Sequence, residues 1–380
     1  MSHLKCQHAL HAMKRPSLFT SRLLVALLCL VTLADVTARA QTGRLVRETV
    51  HGASLEHSAT NESPDRRVSV YLPPSYETAT AKRYPVVYLL HGIGDTDAEF
   101  TSAWKGNTAE WGTAQGLMDR GVAEGRFGEM IIVMPDERTK MLGSFYVNSS
   151  ATGNWEDFTT NELVAYIDKK YRTMARAESR GLAGHSMGGH GAIRLGMKHP
   201  EIYSVVYAMN PAVLGWAKDL SPENPAFTQL ISLKSPEEAF QGNIYLVGAL
   251  CIAQAFSPNP SRAPFYADLP FKLVEGKPAP DEPAYSKWEE NFPLNMAARY
   301  KDNLMKLRGF RFDTAWDDEF AHIPPTTRAL AHKLTEMRVP FTFEEYNGDH
   351  RNRMWGRTGR LYTEVLPYFW LLLDHKDDKR

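Results

Sequence analysis

One serine of this chain lies in a setting that is typical of nucleophiles. Residues 183–192 read AGHSMGGHGA, and the pentapeptide GHSMG fits the pattern G-x-S-x-G around Ser186. This pattern has chemical meaning where a buried strand turns sharply into a helix, because the turn holds the serine hydroxyl clear of the sheet. The residues before Ser186 favour such a strand, and those up to Pro200 favour a helix. We therefore predict that Ser186 is a nucleophile on a strand–helix elbow.

A serine hydroxyl needs a base, and the base needs an acid that orients it. In sites built on such an elbow, the order along the chain is serine, acid, histidine, each on a loop after a strand. His350 follows the strand-like segment PFTFEEY through a Gly-Asp turn and is the predicted base. Asp317 and Asp318 both follow the preceding strand-like segment. Asp318 is the predicted acid because it lies one step deeper in the loop, and Asp317 is the alternative.

Acyl chemistry at this serine also needs two backbone N–H groups that stabilise a tetrahedral oxyanion. Met187, the residue after the nucleophile, is the predicted source of one. Ile93 is the predicted source of the other, because it follows the strand-like segment YPVVYLL and Gly92 lets the backbone approach closely. His91 in the same loop is expected to shape the loop by hydrogen bonding rather than to transfer protons.

Strand-like and helix-like segments alternate along the chain. Apolar, β-branched runs at 84–92 and 129–137 predict buried strands, and the segment 158–172 predicts an amphipathic helix capped by Thr159 or Thr160. The alternation predicts an α/β fold with a mostly parallel central sheet flanked by helices. Residues 214–300 break the pattern and are interpreted as an inserted cap or lid over a substrate cleft. The alternative is a peripheral excursion without catalytic consequence.

The first 40 residues carry the three parts of a secretory signal peptide. A basic start precedes an apolar run at 23–33, and the small-residue pattern ARA ends at Ala40. The apolar run is too short to span a bilayer comfortably. We predict cleavage between Ala40 and Gln41, export to the periplasm or the medium, no stable membrane anchor, and a single catalytic domain over residues 41–380.

Composition and motifs argue against several partners and cofactors. The chain has 44 basic and 44 acidic residues, so nothing indicates binding to nucleic acid or to an acidic membrane surface. No HExxH motif and no cysteine pair beyond residue 40 indicates a metal site. A GxGxxG pattern is absent at the first strand, which argues against a nicotinamide cofactor. We predict no metal and no cofactor, and a packing role for Cys251.

The chain resembles the α/β-hydrolases of the esterase D or "putative esterase" type over about residues 66–213 and 305–375. That group includes S-formylglutathione hydrolases, feruloyl and acetylxylan esterases and bacterial mycolyltransferases. The resemblance rests on the segments RRVSVYLPPSYE, YPVVYLLHGIGD, MIIVMPD, GNWEDFTTNELVAYIDKKYRT, GHSMGGHGA, WDDEF and YNGDHRNRMW. It implies an α/β-hydrolase fold and the same site assignment: Ser186 as nucleophile, Asp318 as acid, His350 as base, and Ile93 and Met187 at the oxyanion.

These observations favour an exported serine esterase that forms an acyl-enzyme. The expected substrates are extracellular esters, linked to carbohydrate or formed by phenolic acids, of the feruloyl or acetyl type. Trp155 and Trp355 are the predicted substrate contacts, because aromatic rings near the catalytic edge could stack on a sugar or a phenolic group, although packing explains them equally well. An acyltransferase with the same three residues, or a non-catalytic carbohydrate-binding protein on this scaffold, are the alternatives.

Overall fold

The structure is a computed structural model that describes residues 42–103 and 106–376. Its strands are β1 (Arg44–His51), β2 (Asp65–Leu72), β3 (Val86–Leu90), β4 (Ile131–Pro135), β5 (Asn148–Ser149), β6 (Gly153–Asn154), β7 (Arg180–His185), β8 (Val205–Met209), β9 (Phe271–Val274), β10 (Lys277–Pro280), β11 (Gly309–Ala315) and β12 (Thr342–Tyr346). Its α-helices are α1 (Ala109–Gly112), α2 (Ala114–Ala123), α3 (Trp155–Asp157), α4 (Leu163–Lys170), α5 (Met187–Lys198), α6 (Pro225–Ser232), α7 (Ile244–Phe256), α8 (Ala284–Asn291), α9 (Pro293–Arg299), α10 (Lys301–Leu304), α11 (Ile323–Glu336) and α12 (Leu366–Leu372).

Eight of the strands form one sheet in the order β1-β2-β4-β3-β7-β8-β11-β12. The pairs β1–β2 and β2–β4 are antiparallel, and every pair from β4 to β12 is parallel. Parallel neighbours place their carboxyl ends at one edge, which is where loops from different strands can meet. The prediction of a mostly parallel sheet flanked by helices is confirmed.

The core lies on both faces of this sheet. Strands β3, β4, β7 and β8 are buried along their whole length. In β3, Val86, Tyr88 and Leu90 pack into the cluster on one face, and Val87 and Leu89 pack into the cluster on the other. This alternation follows from the two-residue period of a strand. It explains why the sequence of these strands is continuously apolar rather than alternating.

The helix predicted over 158–172 differs from the expectation at its start. Helical structure begins at Trp155, passes through a π-helical turn at Phe158–Glu162, and continues as α4. The hydroxyls of Thr159 and Thr160 donate to the carbonyls four residues earlier, at 2.7 Å each. Threonines inside a helix commonly make this bond. The prediction that either one caps the helix is therefore wrong.

The segment 214–300 lies between β8 and β11, and its buried aromatic residues belong to the hydrophobic cluster on one face of the sheet. It contains α6 and α7, the hairpin β9–β10, and then α8 and α9. The rings of Trp216 and Trp288 stack at 5.3 Å, with Phe227, Phe271 and Phe292 around them. The Leu294 N–H donates to the Leu214 carbonyl at 3.1 Å, which ties the end of the segment to its start.

The predicted signal peptide and its cleavage position at Ala40/Gln41 lie outside the described residues. Within residues 42–103 and 106–376, no helix is both long enough and apolar enough to cross a bilayer. The same residues contain no group of three or more histidine, cysteine, aspartate or glutamate side chains arranged to hold a metal ion.

Candidate active site

Ser186 occupies a strained turn between β7 and α5. Its φ and ψ are 57° and −116°, a conformation that residues other than glycine rarely adopt. A side chain at Gly184 would overlap the backbone of Gly188, and a side chain at Gly188 would overlap the backbone of Leu90. The Ser186 N–H donates to the Met209 carbonyl at 3.0 Å. The two glycines thus permit the close approach that holds the elbow, as the G-x-S-x-G pattern predicts.

The structure brings His350 and Asp318 together in the loops after β12 and β11. The Nδ1 atom of His350 lies 2.7 Å from the Oδ2 atom of Asp318, and both side chains are fully buried. The Phe320 N–H donates to the other carboxylate oxygen of Asp318 at 2.9 Å. Asp317 is exposed, and its backbone N–H donates to the carbonyl of Gly348. Of the two candidate aspartates, the geometry thus places Asp318 beside the histidine.

The other ring nitrogen of His350, Nε2, is buried and has no hydrogen-bond partner among the described residues. The ring of His350 lies 4.6 Å from the ring of His185, the residue before Ser186. It also lies 4.8 Å from the ring of Phe320, which lines the same pocket as Ser186. With Nδ1–H bound to Asp318, the Nε2 lone pair is available to accept a proton. Bonds between base and nucleophile often tighten only when substrate is bound.

Burial sets the protonation of this pair. Burial, together with the neighbouring His185, lowers the pKa of His350 well below its usual range. Burial also raises the pKa of Asp318 to about 6, although the Phe320 N–H opposes that shift. A base must be neutral before it can take a proton, so a lowered pKa keeps His350 competent in mildly acidic solution.

We therefore expect hydrolytic activity to extend to acidic pH. As the pH falls, activity is lost when the His350–Asp318 pair takes up a proton, and the lowered histidine pKa moves this loss below pH ~6.5, the ordinary value for histidine. The measurement is the pH dependence of kcat/KM between pH 4.5 and 9 with an uncharged ester. A half-maximal point above pH ~7 on the acidic limb would contradict the assignment.

Ile93 and Met187, the two residues predicted to bind the oxyanion, line the same pocket as Ser186. Met187 is the first residue of α5, so its N–H has no acceptor within the helix, and the helix N-terminus carries partial positive charge. Ile93 lies between Gly92 and Gly94, whose amides donate to Glu99 and to Leu142. Within the described residues the Ile93 amide has no such acceptor.

His91 makes hydrogen bonds that shape the loop after β3, as the sequence predicts. Its Nδ1–H donates to the Gly92 carbonyl at 2.8 Å, and its Nε2 atom accepts from the Glu137 N–H at 2.9 Å. Both ring nitrogens are therefore engaged, and the ring is fully buried. Tyr146 donates to the His91 carbonyl at 2.9 Å.

Two residues that the sequence does not single out hold the histidine loop. Asn210, directly after β8, donates from its amide to the His350 carbonyl at 3.0 Å and accepts from the Ala315 N–H at 2.7 Å. The Nε2–H of His185 donates to the same carbonyl at 2.8 Å, and its Nδ1 atom lies 3.3 Å from Glu99. The position of Asn210 at the carboxyl end of a central strand is the signal that could have found it.

The structure contradicts the prediction that Trp155 and Trp355 contact substrate. The Trp155 ring is fully buried, its Nε1–H donates to the Thr152 carbonyl, and the guanidinium of Arg66 lies 4.9 Å from its centre. Trp355 is also buried and packs against Phe100 on one face of the sheet. Neither ring lines the pocket beside Ser186. Both indoles stabilise the core, which is the alternative that the sequence left open.

An apolar pocket beside Ser186 is lined partly by residues of the segment 214–300. The main domain contributes Ile93, Phe145, Met187, Ala212, Val213, Phe320 and His322 beside Ser186. The segment contributes the larger share of the wall, which consists of Leu220, Asn224, Ala226, Phe227, Ile244, Tyr245, Gly248, Ala249 and Ile252, with Asp219. Residues of this segment thus line the same pocket as the nucleophile, and its role as a cap stays a prediction.

Comparison with known families identifies the chain. The model of the family described as "Putative esterase" matches residues 60–358, which includes all three residues of the Ser186 site. The chain belongs to this esterase family. The membership agrees with the resemblance seen in the sequence.

Proteins named as esterases or hydrolases are similar to part of the chain. Esterase Rv1288 of Mycobacterium tuberculosis is 38% identical over 136 residues, 35% of this chain and 26% of that protein. Mouse S-formylglutathione hydrolase is 30% identical over 187 residues, 43% of this chain and 59% of the mouse protein. An endo-1,4-beta-xylanase/feruloyl esterase of Xylanibacter ruminicola is 29% identical over 138 residues, 36% of this chain and 18% of that protein. The chain thus spans less than two thirds of each.

Solved structures of esterases share the fold over most of the chain. A ferulic acid esterase superposes with a TM-score of 0.60 at 23% identity and covers 87% of this chain and 99% of its own. An S-formylglutathione hydrolase from Agrobacterium tumefaciens gives a TM-score of 0.53 at 15% identity, with 88% and 97% covered. At these identities the likeness establishes the α/β-hydrolase fold.

Proposed function

We propose that this protein is an exported serine esterase that works through an acyl-enzyme. The observation that carries the proposal is the fully buried pair of His350 and Asp318, next to a serine on a strained elbow at the edge of an apolar pocket. Membership of the esterase family and the relatives named as esterases and feruloyl esterase support it. Export rests on the signal-peptide pattern of the first 40 residues.

The proposed reaction has two steps with the same proton carrier. In the first, the Ser186 hydroxyl gives its proton to His350 Nε2 while its oxygen attacks the ester carbonyl carbon, and the tetrahedral oxyanion binds to the Ile93 and Met187 amides. The C–O bond to the alcohol then breaks, and the alcohol leaves with the proton from His350. In the second step, His350 takes a proton from water as the water oxygen attacks the acyl carbon. The bond between the acyl carbon and the Ser186 oxygen then breaks, His350 returns the proton to that oxygen, and the free acid leaves.

We further propose that the substrates are extracellular esters of phenolic or carbohydrate-linked type. The apolar pocket suits an acyl group larger than acetyl, and a relative named as a feruloyl esterase points to phenolic acids. The test is product analysis with acetyl, feruloyl and longer-chain esters, in water and with added sugar or alcohol acceptors. Release of free acid supports hydrolysis. Transfer to the acceptor as the main product would instead assign an acyltransferase, and turnover of none of these esters would favour a non-catalytic role.

We expect Gly248 to set the size of the acyl group that the pocket accepts. Ile244, Gly248 and Ile252 lie on successive turns of α7 and all line the pocket, so their side chains share one face. A Cβ atom at Gly248 would meet no heavy atom within 4 Å, so there is unfilled space in the pocket between the two isoleucine side chains. The leucine side chain of Gly248→Leu should fill this space. The ratio of kcat/KM for the decanoyl p-nitrophenyl ester to that for the acetyl ester should then fall by about tenfold or more.

The substitution is also expected to favour the helix, because glycine costs about 1 kcal/mol in a helix interior. Unfolding of the variant is therefore not the expected cause of any loss. Gly248→Ala, which adds one methyl group, should change the ratio by a smaller factor than leucine does. An unchanged decanoyl-to-acetyl ratio in the leucine variant would show that the acyl group does not reach this helix.

A further inference from the structure

A second carboxylate–histidine pair lies in the wall of the acyl pocket. The Nδ1 atom of His322 is 3.0 Å from the Oδ1 atom of Asp219, and both residues line the pocket with Ser186. The side chain of His322 is 6% exposed and that of Asp219 is 14% exposed. Asp219 belongs to the segment 214–300, whereas His322 directly precedes α11 in the main domain. The proposed esterase chemistry uses neither residue.

The free nitrogen of His322 is the unusual feature of this pair. The ionised Asp219 carboxylate can only accept hydrogen bonds, so the His322 nitrogen that faces it, Nδ1, carries a hydrogen. In the ring form that carries a single hydrogen, that hydrogen is on Nδ1, and Nε2 has a lone pair. This atom is buried and has no hydrogen-bond partner within the described part of the chain. A buried acceptor without a partner is unfavourable, because the atom has lost its hydrogen bonds to water.

The other polar groups of the pocket wall are engaged with the protein. Asn224 accepts from the Ala226 N–H and donates to the Asp219 carbonyl. Tyr245 donates to the carbonyl of Glu319 at 3.2 Å. The second oxygen of Asp219 accepts from the Ala321 N–H at 2.9 Å. Among the lining residues, the Nε2 atom of His322 is the buried side-chain polar atom that has no hydrogen-bond partner in the described part of the chain.

We propose that His322 is a specificity-determining residue that accepts a hydrogen bond from a hydroxyl group on the acyl part of the substrate. The preferred substrates are then esters of acids whose body is apolar and carries one hydroxyl. The apolar walls bind the body, and the hydroxyl gives Nε2 the partner that it lacks. An acyl group without the hydroxyl leaves this nitrogen without a partner. The kcat/KM for its esters should therefore be lower than for esters of the hydroxylated acid. The inference rests on the proposed esterase function.

The pair also joins the segment 214–300 to the loop that carries Asp318, so the test must separate recognition from a structural role. His322→Asn does this, because the Asn amide nitrogen replaces Nδ1 as donor to Asp219 while nothing replaces Nε2. His322→Gln places an amide near the position of Nε2 and should restore part of the recognition. His332→Asn is the matched control, because His332 lies on α11 and its side chain is 76% exposed.

The experiment compares kcat/KM for p-nitrophenyl 3-(4-hydroxyphenyl)propanoate and p-nitrophenyl 3-phenylpropanoate, which differ by one hydroxyl. The wild type and His332→Asn are expected to prefer the hydroxylated ester about tenfold or more, and His322→Asn should bring the ratio close to one. His322→Gln should give an intermediate ratio. Ratios near one in the wild type, or a preference retained in His322→Asn, would overturn the inference.

Two features keep the outcomes distinct. The ratio of kcat/KM for the two esters in the wild type tests the inference without any substitution. This test still stands if one of the variants fails to fold. Labelling of the wild type with a fluorophosphonate reports separately on the proposed function. Labelling without a hydroxyl preference would overturn only the role of His322, whereas absence of labelling and of turnover would overturn the esterase function itself.

Discussion

Replacing Ser186 with alanine is expected to abolish ester hydrolysis and leave the fold intact. Loss of the nucleophile in a serine triad typically costs a factor of ~10⁴ to 10⁶ in kcat. The side chain of Ser186 makes no hydrogen bond within the described residues, and its backbone bonds to Met209 and Ala212 remain available to alanine. The free energy of unfolding should therefore change by less than about 1 kcal/mol.

The measurement is kcat/KM for a p-nitrophenyl ester, with the denaturation midpoint as the control for folding. Residual hydrolysis of ~10⁻⁴ of the wild-type rate would agree with the account, because the oxyanion amides still bind the ester. Hydrolysis within tenfold of the wild type would place the nucleophile elsewhere in the chain.

Asp318→Asn is expected to lower kcat by about 10⁴, because the amide can no longer hold His350 in the correct tautomer. Asp318 accepts from His350 Nδ1 at 2.7 Å in a fully buried pair, so the substitution changes a charge without changing the volume. Its neighbour Asp317 provides a matched control. Asp317 is exposed, and its hydrogen bond to the Gly348 carbonyl is made by the backbone N–H, which asparagine retains. Asp317→Asn should therefore alter kcat by less than about twofold.

The two aspartates are adjacent and chemically identical, so a difference between the two variants reports on their different positions in the loop. Activities of both variants are measured with the same ester, and the near-ultraviolet circular dichroism of each reports on the packing of the loop. Equal losses in the two variants, or a larger loss in Asp317→Asn, would contradict the geometry of the acid loop.

The sequence predicts much of this site because its chemistry depends on local patterns. Ser186 stands in a short glycine-rich motif, and His350 follows a recognisable strand. Asp318 is distinguishable from Asp317 only by depth in the loop, and the structure supplies the reason in the burial of one side chain and the exposure of the other. The parallel sheet is equally predictable, since continuous apolar runs require burial on both faces.

The remaining features depend on contacts between residues that are far apart in the chain. The sequence predicts that Trp155 and Trp355 contact substrate, but both rings are buried in the core. An aromatic side chain near a loop can point either way, and only the packing decides. Asn210 acts on His350 from 140 residues away, and neither residue indicates the other in the sequence. Much of the wall of the acyl pocket likewise comes from the segment 214–300. This segment contains no recognisable sequence motif that would indicate which of its side chains line the pocket.

Identification of the residue that reacts with a fluorophosphonate tests the central claim most directly. The full chain is labelled at neutral pH, digested, and the modified peptide is sequenced by mass spectrometry, with Ser186→Ala in parallel. The account predicts one adduct, on the peptide that contains Ser186, and none in the variant. An adduct on a different serine, or labelling that is undiminished in Ser186→Ala, would contradict it.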